Sequence, residues 1–87
     1  MDKKTMLALA DANAIKKVFI TASGSQLYIR VTTPTGEHNI ETNSGQLKTW
    51  STLDACAKWL HKLGIGKIQV DIAKWHPYQK GMSFSLS

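Results

Sequence analysis

The sequence predicts a two-layer α+β domain. Its sheet holds 3–5 strands, antiparallel or mixed, with an N-terminal helix and a main helix at about 52–63. Three observations carry this. Apolar side chains alternate with period two from Gln26 to Thr33, the period becomes 3.6 at Ser51, and period two returns after Gly64. Eighty-seven residues form one domain, 1–87, because a chain this short cannot build two cores.

Residues 3–15 are rich in Ala, Leu, Met and Lys, good helix formers, with Met6, Ala10 and Ala14 on one narrow face beside Leu7. A strand through Val18 and Ile20 follows, and Ser23-Gly24-Ser25 supplies a tight turn. In the next strand Leu27, Ile29 and Val31 point one way, Tyr28, Arg30 and Thr32 the other. Pro34 then occupies the second position of a Thr33-Pro34-Thr35-Gly36 turn, where its fixed φ is already correct. Glu37 to Thr42 reads as an edge strand, because Ile40 is its only strongly apolar residue. Gln46 to Trp50 reads as a short further strand after the Asn43-Ser44-Gly45 turn.

Ser51 is the expected N-cap of the main helix, with Asp54 close to a capping box. Leu53, Cys56, Ala57, Leu60 and Leu63 make its apolar stripe, and Gly64 stands at the C′ position. Lys67 to Ala73 resumes period two with Ile68, Val70 and Ile72 expected inward, and His76-Pro77 ends or bends that strand.

Composition narrows the function. One cysteine excludes a disulfide framework and a multi-thiolate zinc site within the chain. The longest apolar runs fall far short of the ~20 residues of a spanning helix. The start imitates a signal peptide faintly, but Asp11 and Asn13 interrupt it. The expectation is a cytoplasmic protein without membrane contact. Eleven Lys and Arg against six Asp and Glu give a net charge of +5, a bias toward anionic partners.

Catalysis finds little support in the residue pattern. Glu37 and Glu41 lie about 13 Å apart along a strand, too far for an acid/base couple. Asp54 is explained by capping. Cys56 and His61 diverge by about 140° around one helix, and Cys56 falls on the core stripe. Gly64-Ile65-Gly66 follows a helix, whereas phosphate loops precede one. No catalytic residue, metal site, cofactor or small-molecule substrate is expected.

Nucleic-acid binding has more to build on. Phe19, Tyr28 and Arg30 fall on the sheet face opposite Leu27, Ile29 and Val31. Rings that stack on bases, interleaved with cations that meet phosphates, hold single strands in this way. The competing explanation is that the first helix covers Phe19 and Tyr28, making a second small core. Lys58, Lys62, Lys67 and Lys74 join the candidate nucleic-acid set, with Lys3, Lys4, Lys16 and Lys17 clustered earlier. A solvated charged face explains such lysines more often than a binding site does. The net excess of five tilts the reading toward an anionic partner, because a merely soluble surface usually mixes signs more evenly.

Trp75 and Tyr78, at a strand exit, suit either a contact surface or the end of the core. Met82, Phe84 and Leu86 alternate with serines, so this segment needs a sheet edge: its own Glu37–Thr42 strand, or that of a second copy in a homodimer.

The stretch from Trp50 through Trp75, with its core positions, Gly64 and Trp75, resembles small uncharacterised accessory proteins of bacterial plasmids and integrative elements, some labelled partition-associated. It covers about a third of the chain. The resemblance implies a fold and a DNA-transactions setting, and it assigns no catalytic residue. Two readings stand. One is a non-enzymatic basic accessory protein that binds nucleic acid mainly through phosphate charge, with aromatic stacking on a sheet face. The other is a protein-interaction or homodimerisation module of a mobile genetic element with no nucleic-acid contact.

Overall fold

The computed structural model describes residues 1–76. Tyr78, Met82, Phe84 and Leu86 lie outside the described residues. Element order is α1 (Lys3–Asp11), β1 (Lys17–Ser23), β2 (Gln26–Thr33), β3 (Gly36–Asn39), α2 (Leu53–Lys62) and β4 (Gln69–Val70). The four strands form one mixed sheet in the order β3-β2-β1-β4. β1–β2 and β2–β3 are antiparallel, while β1–β4 is parallel. The predicted α+β class, with an N-terminal and a later helix, is the observed one.

Alternation in β1 and β2 decides which face is core. Val18, Ile20, Ala22, Leu27, Ile29 and Val31 are buried on one side. Met6 of α1, Ile40 just after β3, and Cys56 and Leu60 of α2 complete the same cluster, so both helices bury their apolar side chains against one face. Gly24 at φ +63 makes the two-residue β1–β2 loop, a conformation that costs glycine little. Pro34 and Thr35 make the loop between Thr33 and Gly36 as the sequence predicts.

Five boundaries differ from the sequence expectation, among them the edge strand, which runs Gly36–Asn39 rather than Glu37–Thr42. The first helix stops at Asp11 rather than 15, because Asn13 turns left-handed at φ +56. The Asn13 amide then bonds the Ala10 carbonyl, and the Ala14 amide the Leu9 carbonyl, closing a Schellman motif. Gly64 (φ +84) ends α2 in the same way, through Gly64 to His61 and Ile65 to Leu60. The N-cap of α2 is Thr52, not Ser51: its Oγ1 accepts the Ala55 amide at 3.2 Å.

The predicted Gln46–Trp50 strand reduces to single bridges, Glu41 with Leu47 and Leu27 with Trp50, the latter bonded both ways at 2.8 Å. The predicted Lys67–Ala73 strand contracts to Gln69–Val70, and Val70 and Ile72, expected in the core, are not covered but stand 45% and 48% exposed. The reason is lateral position. Val70 pairs with Ile20 and shares its face, but β4 is the sheet edge and α2 packs across β2. Two strand spacings, about 9–10 Å, separate β2 from β4, beyond the ~5–6 Å radius of a helix.

Candidate nucleic-acid interface

The second sheet face is built by the residues that β1 and β2 turn away from the core. Directly paired residues share a face, so the register gives its layout. Phe19 sits opposite Arg30, Thr21 opposite Tyr28 and Lys17 opposite Thr32. Asn39 and Glu37 extend it on β3, and Gln69 extends it on β4. Phe19, Tyr28 and Arg30 are half-buried. The Arg30 Cζ lies 5.2 Å from the Phe19 ring centroid, a cation–π distance. Its Nε is 2.9 Å from Glu37 Oε2, an ion pair without a directed hydrogen bond. Because Met6 joins the core on the other face, α1 does not bury Phe19 and Tyr28 in a second core.

The candidate cations separate into groups. Lys67 precedes β4, and the parallel register that pairs Phe19 with Gln69 brings Lys67 beside Lys17 when stepped back two residues. Both line one groove together with Lys16. Lys74 is exposed beyond the other end of β4, close to where Trp75 bridges Gly24. Lys58 and Lys62 are exposed on α2, in the helical layer across the sheet from Tyr28 and Arg30. Lys58 Nζ is also 3.0 Å from Asp54 Oδ2, an exposed i,i+4 pair. Of the sequence-predicted set, the structure therefore brings together Phe19, Tyr28 and Arg30, with Lys67 at their rim. Lys58 and Lys62 belong to another surface.

Trp75 packs against the core, its amide bonded to the Ile72 carbonyl at 3.0 Å, and the His76 amide reaches the Gly24 carbonyl at 2.7 Å. This matches its reading as an end of the core. Its indole Nε1 is buried without a partner among the described residues.

Trp59, which the sequence places beside the apolar stripe as a flank of either the core or a contact surface, belongs to a second aromatic group. The sequence reading missed its pairing. Trp50 and Trp59 meet at 5.3 Å between ring centroids, tilted by 59°. Lys48 Nζ lies 5.3 Å from the first ring and 5.9 Å from the second. The Lys48-Thr49-Trp50 spacing carried the signal, since extended backbone puts alternate residues on one side.

Titration adds one clear fact. Burial pushes the Cys56 thiol up to about 12, so the group stays protonated and inert at neutral pH. Among the described residues no three His, Cys, Asp or Glu side chains converge as metal ligands, and no helix is long and apolar enough to cross a membrane. Comparison of the chain with protein-family models, with curated proteins and with solved structures finds no match.

Proposed function

We propose that the protein is a non-enzymatic, basic nucleic-acid-binding accessory protein. Its contact surface is the sheet face of Phe19, Tyr28 and Arg30, flanked by Lys17 and Lys67. One observation carries the reading: a cation–π pair and a neighbouring tyrosine sit on the face that receives neither helix's buried side chains. Rings of this kind stack on bases, and Arg30, Lys17 and Lys67 meet the phosphates between them. Affinity then comes mainly from backbone charge, with little base specificity. The net charge of +5 supports the same reading.

The test is fluorescence anisotropy with single-stranded and duplex DNA over a salt series. Each phosphate neutralised on a single strand should contribute about −0.7 to the log–log slope. Tyr28→Ala should cost about 1–3 kcal/mol on single strands and much less on duplex. Absence of binding to either form at micromolar protein and about 50 mM salt ends the proposal.

A second reading, a homodimerisation or protein-interaction module, is favoured by Val70 and Ile72. Both are apolar and nearly half exposed at the β4 edge. Sedimentation at high micromolar concentration separates the two: a dimer weakened by Val70→Thr supports this reading, and a monomer removes the homodimer.

A further inference from the structure

We propose that the groove between the helix ends and the start of β1 is a site for a phosphate monoester on a sugar, either the terminal phosphate of a nucleic-acid strand or a free mononucleotide. The choice of ligand rests on the nucleic-acid reading above and deepens it by giving the strand an anchored end. The groove measures about 290 Å³ and is lined on its polar side by Lys16, Lys17, Lys67 and Asn13. That is the lower end of the ~300–1,000 Å³ range of ligand pockets, sized for one nucleotide rather than a larger molecule. Ile15, Val18 and Ile65 give it an apolar wall against which a sugar or a base can lie.

Charge selects the ligand. Among the described residues the ion pairs are Met1–Glu41, Arg30–Glu37 and Lys58–Asp54, and none uses a groove lysine. Both helices also end at this groove, through Asn13 after α1 and Gly64 after α2. Each C-terminus contributes roughly half a negative charge, so the two offset about one of the three lysines. About two positive charges remain. A phosphate monoester carries about −1.5 to −2 at neutral pH and matches this excess, whereas a phosphodiester carries one negative charge and leaves half of it uncompensated. A strand terminus therefore fits better than an internal linkage. Lys17 and Lys67 also flank Phe19 and Gln69 of the outer face, so a strand crossing that face has a direct path to the groove.

The experiment compares single-stranded oligonucleotides with and without a terminal phosphate by anisotropy, beside NMR titrations with AMP and adenosine. The terminal phosphate should tighten binding about ten-fold, the equivalent of one charge-assisted hydrogen bond. The Lys16→Gln/Lys67→Gln variant should lose that increment, while Tyr28→Ala weakens both oligonucleotides and keeps it. AMP, and not adenosine, should shift the amide signals of Asn13, Gly64 and Ile65. If AMP shifts them and no oligonucleotide binds, the nucleic-acid reading fails while the groove stands as a mononucleotide site. If oligonucleotides bind in a Tyr28-dependent way, the terminal phosphate adds nothing and AMP leaves the signals unmoved, the groove assignment is overturned and the sheet-face reading survives. A terminal-phosphate increment that persists in the double lysine variant overturns it equally. Both lysines are exposed, and a thermal melt unchanged from the parent protein shows that the variant folds.

Discussion

Cys56 shows how one buried side chain ties packing to pH. Its thiol is enclosed by the core, and burial disfavours the thiolate, which raises the folded pKa to about 12 from an ordinary 9.0. In the unfolded chain the thiol ionises near the ordinary value. Above that pH the folded state holds a proton that the unfolded state has released, so stability falls as pH rises. The contribution is complete below about pH 9 and is lost progressively toward pH 12. Cys56→Ala should flatten this alkaline loss in urea titrations between those limits; an unchanged pH profile would refute the assignment. Leu60, fully buried beside it, probes packing without charge. Leu60→Ala should cost about 2–5 kcal/mol at an unchanged denaturant slope. A loss below about 1 kcal/mol would mean that the helix does not cap the sheet as described.

At the scale of elements, the capping of α2 separates two adjacent hydroxyls. Thr52 accepts the Ala55 amide, so Thr52→Ala should cost about 0.5–2 kcal/mol, while Ser51→Ala should stay within about 0.5 kcal/mol of the parent. Chemical denaturation of the pair decides between them. A larger loss at Ser51 would move the helix start by one residue. The sequence could not separate the two, because Ser and Thr are both favoured N-caps and the choice depends on where φ and ψ leave the extended region. The strands β1 and β2 were legible because local period-two alternation matches a face buried along its whole length. The same pattern in residues 67–73 misled, since alternation records which way a side chain points and not whether a helix reaches over it. Val70 points to the core side and stands beyond the cover of α2, and Ile72 is exposed past the end of β4. The end of α1 was hidden for another reason: Asn13 has the short polar side chain that tolerates the left-handed region, a weaker stop signal than glycine.

At the scale of the whole molecule, what matters is where the sheet gathers its charge. The Phe19–Tyr28–Arg30 face was readable because it is the complement of a local alternation. The approach of Lys17 to Lys67 was not, because it depends on a parallel pairing between β1 and β4, distant in sequence and linked through α2. That pairing leaves the outer face with Lys17 and Lys67 at one end, Arg30 at its middle with Glu37 against it, and Asp71 beside Thr21 when the register is stepped forward two residues from Gln69. Glu37 is more than half exposed, so the pair itself contributes little to folding. For binding its effect is larger. The carboxylate occupies a guanidinium that would otherwise meet a phosphate, and it repels the backbone of any strand laid across the face. Glu37→Gln should therefore leave the melting temperature nearly unchanged, tighten single-stranded DNA binding and steepen its salt dependence by up to about 0.7 of a log–log unit. Arg30→Gln should do the reverse, and in the double variant the gain from Glu37→Gln should shrink, because Arg30 is then no longer there to be freed. Equal affinity and equal salt slope for the parent and Glu37→Gln would mean that phosphates do not approach this face, and the interface would have to be sought elsewhere on the molecule.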